Sequence, residues 1–286
     1  MKRIIFLMSF LMTIGSAFAL EPFTTVHLYP DGAPDSNGYT EQEYTDDLGR
    51  IFFTTDARFD LYVPEGKENI PVLLCFPGGA YRLTSAYGEG KTVAEYLVTR
   101  GYAVAVLKYR FPNTHTEVPI HDAIRAMEIL RDNAETWHLN PHKIGAMGFS
   151  AGGHLCSSLL TKYTSEKSRP DFGVLFYPVI SMNPAITHQM THDLLLGENP
   201  THEMEDLWST DKCVTKDTPP CLIFACQDDN TVAVENSILF YQALTRNHVT
   251  AGMILMPTGK HGWGFNYQFD GREVVEHALM QFLSER

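Results

Sequence analysis

Six short runs of apolar residues recur along the chain with helical segments between them. This alternation limits the fold more than any other feature of the sequence. The runs are 72–76, 103–107, 144–149, 174–177, 221–226 and 253–256. Amphipathic stretches near 91–100, 120–135, 151–163, 234–246 and 273–284 lie between or after them. Strands apolar on both faces, separated by helices, belong to a mostly parallel sheet with helices on both faces. Residues 51–55 and 59–63 alternate apolar and polar side chains around Asp56-Ala57-Arg58, which predicts a leading antiparallel hairpin. The polar, turn-rich stretch 21–50 reads as a lead-in strapped over the domain. Residues 182–218 are less regular, with short helical pieces near 188–196 and 201–208. They predict a small cap over the strand ends, where open α/β sheets bind ligands. No Pro/Ser/Gly-rich linker, internal repeat or low-complexity tract divides the chain, so residues 20–286 read as one α/β domain.

Residues 1–19 stand apart. Lys2 and Arg3 precede an apolar run over 4–14, and Ala17-Phe18-Ala19 supplies small residues for a signal-peptidase site. The run is shorter than the roughly 20 residues of a membrane span, and no Cys follows Ala19 to carry a lipid. The expectation is an exported, soluble protein with no membrane anchor, periplasmic or extracellular. The formal net charge of −12 becomes more negative once Lys2 and Arg3 are removed. Such acidity disfavours nucleic acid or an anionic membrane as partner and suits a neutral substrate such as a polysaccharide. Five cysteines, an odd number, leave at least one thiol free. Cys75, Cys221 and Cys226 fall in strand-like runs where Cys acts as a small apolar residue. No disulfide is expected, and Cys213–Cys221 is the least implausible pair.

Gly148-Phe149-Ser150-Ala151-Gly152 stands where the run 144–149 meets the helical stretch 151–163. A serine hydroxyl is a poor nucleophile unless it is exposed beside a general base. A sharp strand-to-helix turn flanked by glycines provides that exposure, and the helix N-terminus favours developing negative charge. Ser150 is therefore the candidate nucleophile of an α/β-hydrolase fold. Pro77-Gly78-Gly79-Ala80-Tyr81 follows the run 72–76, where the second part of an oxyanion hole belongs in that fold. The expected donors are the N–H groups of Gly79, Ala80 and Ala151. In this fold the acid follows a late strand and the histidine lies near the C-terminus. Gln227-Asp228-Asp229-Asn230 and Gly259-Lys260-His261-Gly262 occupy those places. His261 is the candidate base. The acid is Asp228 or Asp229, and counting back from apolar Val232 favours Asp229. Tyr81 and Trp263 flank these groups and are candidate pocket-lining residues, with packing as the alternative.

Other signals carry less. His154, one turn after Ser150, points away from the turn and reads as structural. His188 and His192 have i, i+4 spacing with Asp193 beside them, but no Glu follows the first His. A solvated helix face fits better than a metal site. Glu203 and Glu205 read as surface acids, and Asp122 with Arg125 as a structural salt link. No metal or cofactor is expected.

The stretches Gly101-Tyr102-Ala103-Val104-Ala105-Val106-Leu107-Lys108-Tyr109-Arg110 and Ile144-Gly145-Ala146-Met147-Gly148-Phe149-Ser150-Ala151-Gly152-Gly153-His154 closely resemble the BD-FAE-like group. These are the acetylxylan, feruloyl and related carbohydrate esterases of the α/β-hydrolase superfamily. Leu28-Tyr29-Pro30-Asp31-Gly32-Ala33-Pro34, the Pro77–Tyr81 loop, Val232-Ala233-Val234-Glu235-Asn236-Ser237 and His261-Gly262-Trp263-Gly264-Phe265 match in order, so the resemblance covers nearly all of 20–286. It implies a serine esterase that removes acetyl groups from plant polysaccharide or oligosaccharide through Ser150, His261 and Asp229. The alternatives are a feruloyl esterase or general short-chain carboxylesterase and, in another class, a catalytically inactive sugar-binding protein. The substrate on this reading is an acetylated or feruloylated carbohydrate. The chain departs from the family pattern at Ala80, where a third Gly is common. It also departs at Ala225-Cys226-Gln227 before the acid, at Ala233 in place of Pro, and at Lys260 in place of Gly.

Overall fold

The computed structural model describes residues 20–286, so the expected signal segment 1–19 lies outside the described residues. In chain order the elements are β1 (Thr24–His27), β2 (Tyr44–Thr45), β3 (Ile51–Phe52), β4 (Arg58–Tyr62), β5 (Ile70–Phe76), β6 (Leu83–Thr84), α1 (Thr92–Val98), β7 (Ala103–Lys108), α2 (Glu117–Asp132), β8 (Leu139–Phe149), α3 (Ser150–Lys162), β9 (Gly173–Phe176), α4 (Gln189–Leu196), α5 (His202–Trp208), β10 (Cys221–Cys226), α6 (Glu235–Arg246), β11 (Ala251–Met256) and α7 (Arg272–Ser284). A π-type turn (Tyr87–Lys91) leads into α1, and a 3-10 turn (Thr210–Lys212) follows α5.

Eight strands form one sheet in the order β1-β4-β7-β5-β8-β9-β10-β11. β1, β4 and β7 pair antiparallel, and every pairing from β7 through β11 is parallel. All six apolar runs of the sequence are strands of this sheet. Strand alternation sends their side chains to two cores. Val72, Leu74 and Phe76 of β5 pack with residues of α2, α3 and α6 on one face. Leu73 and Cys75 pack with α1 and α7 on the other.

The leading hairpin is not formed. Residues 51–52 pair with β2 and β6 in a separate three-stranded antiparallel sheet, whereas β4 joins the main sheet beside β7. The antiparallel partner that covers β4 is β1, from the stretch read as lead-in. Local alternation marked both segments as half-buried strands, but pairing is set by which edge each one reaches. The rest of the lead-in is strapped down as expected. Arg110, 1% exposed, bonds the Asp35 carbonyl and pairs with the Asp35 carboxylate at 2.9 Å.

The same Arg110 corrects a second expectation. Its guanidinium forms a forked contact with Asp122 of α2, at 2.6 Å for the shortest bond. Asp122 therefore pairs with Arg110 and not with Arg125, which reaches the Leu28 carbonyl instead. Between β9 and β10, the segment with α4 and α5 forms the small cap. Asn236 of α6 anchors it, accepting the N–H groups of Ile180 and Ser181 and donating to the Ile186 carbonyl. All five cysteines are free thiols. No helix among the described residues is long and apolar enough to cross a membrane.

Candidate active site

Ser150 opens α3 immediately after the last residue of β8. Its φ of +53° lies in the left-handed region, a conformation that costs a non-glycine residue about 1–3 kcal/mol. The surroundings impose it. Helix α3 packs so closely on β5 that a Cβ at Gly152 would sit 2.1 Å from the Phe76 carbonyl oxygen. Only glycine allows that approach, which brings the turn against the end of β5 and leaves the Ser150 side chain at a cleft.

Around Ser150 the three groups named from the sequence meet. His261 Nε2 lies 2.8 Å from Ser150 Oγ, and His261 Nδ1 lies 2.6 Å from Asp229 Oδ2. A carboxylate only accepts, so Nδ1 carries the imidazole proton and Nε2 is left to accept from the serine hydroxyl. The other Asp229 oxygen accepts the N–H groups of Thr231 and Val232, each at 2.9 Å. Asp229 is thus fully engaged, with its side chain 2% exposed. Asp228 turns elsewhere and accepts the Lys260 N–H at 2.8 Å, which clamps the loop carrying His261. The two neighbouring aspartates split the work: one faces the imidazole and the other holds the backbone beside it.

The loop after β5 is equally constrained. Gly79 has φ +139°, and a Cβ there would meet the Leu83 carbonyl oxygen at 2.0 Å. Ala80 and Tyr81 also take positive φ. The N–H groups of Gly79, Ala80 and Ala151 have no hydrogen-bond partner among the described residues. Free N–H groups beside a nucleophile are what an oxyanion requires.

The cleft beside these groups has a volume of about 750 Å³ and is lined by Gly79, Ala80, Arg82, Ser150, His188 and Trp263, among others. Trp263 forms part of its wall, stacked on Phe269 with ring centroids 4.4 Å apart. Tyr81 does not line it. Its ring is 1% exposed and its hydroxyl bonds His154 Nδ1 at 2.8 Å. The backbone turn at Ala80 and Tyr81 swings this side chain into the core, where it packs edge-on against Tyr109. His154 is fully buried, bonds the Trp208 carbonyl through Nε2, and has its pKa lowered to about 4 by burial.

Two discounted groups also differ from expectation. His192 of α4 and Glu205 of α5 are buried within the cap and face each other at 3.5 Å rather than lying on a solvated surface. His188 lines the cleft, and burial together with nearby His261 lowers its pKa. Among the described residues no group of three or more His, Cys, Asp or Glu side chains is arranged to hold a metal.

The sequence pattern left two residues of this region unmarked. Glu89, 8% exposed, accepts the Gly78 N–H at 2.7 Å through Oε2 and the Tyr177 hydroxyl at 2.8 Å through Oε1. Burial raises its pKa above the ordinary carboxylate value. Tyr177 packs edge-on against the His261 ring with centroids 4.7 Å apart. Glu89 sits in Tyr87-Gly88-Glu89-Gly90-Lys91, between the apolar run 72–76 and the helical stretch 91–100, and Tyr177 ends the apolar run 174–177. No local pattern distinguishes either one.

Comparison with known proteins places this geometry in a family. The chain is 35% identical over 231 residues to an acetylxylan esterase of Xylanibacter ruminicola, covering 79% of this chain and 48% of that one. It is 36% identical to endo-1,4-beta-xylanase B of Butyrivibrio fibrisolvens, covering 75% of this chain and 36% of the relative. The chain therefore spans about half or less of the length of these curated relatives. The crystal structure of an acetyl ester-xyloside bifunctional hydrolase from Caldicellulosiruptor lactoaceticus superposes with a TM-score of 0.75 at 29% identity. That match covers 93% of this chain and 98% of the other. The BD-FAE family model matches residues 59–244, from β4 into α6, and the chain belongs to the BD-FAE family.

Proposed function

We propose that this protein is a serine esterase that removes acetyl groups from plant polysaccharide or its oligosaccharides. The observation that carries the proposal is the continuous chain of contacts from Ser150 Oγ through His261 to Asp229 at the edge of the cleft. Likeness to an acetylxylan esterase and to an acetyl ester-xyloside hydrolase supports acetylated carbohydrate as the substrate. The cleft, about 750 Å³, falls within the range that holds a small organic ligand.

In the proposed reaction Ser150 Oγ attacks the acetyl carbonyl carbon while His261 Nε2 takes the hydroxyl proton. Asp229 holds the imidazole in the tautomer that accepts this proton and stabilises the imidazolium. Negative charge on the carbonyl oxygen is met by the N–H groups of Gly79, Ala80 and Ala151. The sugar oxygen leaves with the proton from His261, producing acetyl-Ser150 and a free sugar hydroxyl. Water, deprotonated by the same imidazole, then releases acetate and restores the serine. The reaction needs no cofactor. The basic-then-apolar segment 2–19 supports export, with cleavage after Ala19 testable by N-terminal sequencing of the secreted protein.

The test is acetate release from acetylated xylan, run beside methyl ferulate and longer aryl esters, with Ser150→Ala as control. Acetate release lost in Ser150→Ala supports the proposal. Preferential hydrolysis of the ferulate ester would move the assignment to a feruloyl esterase. Cleavage of simple esters alone would leave a general carboxylesterase. Binding of xylan with no hydrolysis would favour a sugar-binding protein.

A further inference from the structure

The loop after β5 can serve as an oxyanion hole only if its peptides keep a fixed orientation, and one of the contacts that hold it comes from a buried acid. The Pro77 carbonyl accepts the Tyr109 hydroxyl at 2.8 Å. The Gly78 carbonyl accepts the Ser85 N–H, and the Gly79 carbonyl accepts the N–H groups of Arg82 and Leu83. The remaining polar group of the Gly78 residue, its N–H, goes to the Glu89 carboxylate. With these groups occupied, the next two N–H groups, on Gly79 and Ala80, are the ones left free.

Glu89 does more than close this loop. Its second oxygen accepts from Tyr177, and the Tyr177 oxygen in turn accepts the N–H of Gly264, three residues after His261. A single carboxylate thus connects the oxyanion loop, the end of β9 and the loop of the base. The groups facing it are the Tyr177 and Tyr109 hydroxyls, the Cys75 thiol and the His261 imidazole. Cys75 donates to the Glu89 carbonyl at 3.2 Å. Among the described residues no Arg or Lys forms a salt bridge with it. A buried carboxylate without an Arg or Lys partner is costly to keep unless its surroundings use it.

We propose that Glu89 is a positioning residue for the esterase chemistry: its carboxylate aligns the oxyanion loop through Gly78 and, through Tyr177 and Gly264, holds the His261 loop at a matching distance. It touches no reacting atom. It acts by keeping the N–H groups and the imidazole preorganised around the tetrahedral intermediate. The inference rests on the reading of Ser150 as an esterase nucleophile.

The test uses the full chain with p-nitrophenyl acetate as substrate and an alkylboronic acid as a tetrahedral analogue. Glu89→Gln keeps the shape but loses the charge and one acceptor. Loss of a whole oxyanion donor costs about 100- to 1,000-fold in kcat, so loss of its support is expected to cost about 10- to 100-fold. KM should change by less than about threefold, and boronate affinity should fall in parallel with kcat/KM. Tyr177→Phe, which keeps the ring packing and cuts only the link to the His261 loop, is expected to lose about 3- to 10-fold. Full kcat and full boronate affinity in folded Glu89→Gln would overturn the inference, provided that Ser150→Ala is inactive. If Glu89→Gln does not fold, Tyr177→Phe decides, and wild-type kcat in that variant overturns the inference. A wild-type protein that hydrolyses no ester would remove the underlying reading, and the inference with it.

Discussion

Two histidines sit within reach of the first turn of α3, and both have each ring nitrogen hydrogen-bonded. His154 lies inside, between the Tyr81 hydroxyl and the Trp208 carbonyl. His261 lies at the cleft, between Ser150 and Asp229. The partners make them opposite in chemistry. A carbonyl only accepts, so His154 carries its proton on Nε2, and its one free lone pair is taken by a buried phenol whose own pKa is raised by burial. His261 carries its proton on Nδ1 and directs its lone pair at a serine hydroxyl. An imidazolium at His154 would find no carboxylate partner, and burial lowers its pKa to about 4. An imidazolium at His261 faces Asp229 directly. Saturated hydrogen bonding therefore does not make a histidine a base. Only His261 has a carboxylate behind the ring and a transferable proton in front of it, the arrangement that the proposed mechanism requires of its base.

The contrast can be broken most severely on the cleft side. Ser150→Ala is expected to reduce kcat for acetyl-ester hydrolysis by about 10⁵-fold or more while leaving the fold intact, measured by acetate release and circular dichroism. Activity within tenfold of wild type would mean that Ser150 is not the nucleophile. The next largest effect separates neighbouring aspartates. Asp229→Asn is expected to cost about 10⁴-fold in kcat, because an amide no longer favours the productive tautomer. Asp228→Asn, which still offers a carbonyl to the Lys260 N–H, is expected to cost less than about tenfold. Equal losses in the two variants would erase the distinction drawn between them.

On the inner side the expected effects are on stability. His154 stays neutral in the folded protein down to about pH 4, whereas its ordinary value is 6.5. Between these values the unfolded chain takes up a proton that the folded one does not. The contribution is full above pH 6.5 and is lost as the pH falls towards 4, by roughly 3 kcal/mol in all. Urea unfolding at pH 7 and pH 4.5 should show this loss in the wild type and a smaller one in His154→Gln. A variant with the wild-type pH dependence would exclude His154 as its source. The smallest effect is expected from Tyr81→Phe, which removes one buried hydrogen bond and should cost about 1–2 kcal/mol. An unchanged stability with a tenfold rise in KM would instead put Tyr81 at the substrate.

Much of this organisation is legible in the chain because it depends on local pattern. An apolar run followed by a helical period marks β8 and α3, and Ser150 falls at their junction whatever else the molecule does. The same pattern locates Asp229 and His261 at the ends of β10 and β11. The choice of Asp229 over Asp228 rests on Val232, which is 3% exposed and holds the turn whose N–H groups bond Asp229. Patterns fail where a residue's partner is remote. Residues 51–52 and β4 both alternate, yet they enter different sheets. Asp122 reaches back to Arg110 rather than along its own helix to Arg125. Tyr81 follows the glycine loop in sequence and leaves it in space, because three successive positive φ values turn its side chain inward.

The sequence by itself determined the parallel α/β sheet, the strand-to-helix turn that exposes Ser150 and the order of the groups that follow it. These depend on periodicity and on glycine, which act over a few residues. Only the tertiary structure decided which histidines are buried, that Glu205 turns into the cap, and that Glu89 joins the loop after β5 to the loop of His261. Those outcomes depend on desolvation and on partners that only the fold brings close, and a carboxylate in a polar turn carries no local mark of whether water or protein will surround it.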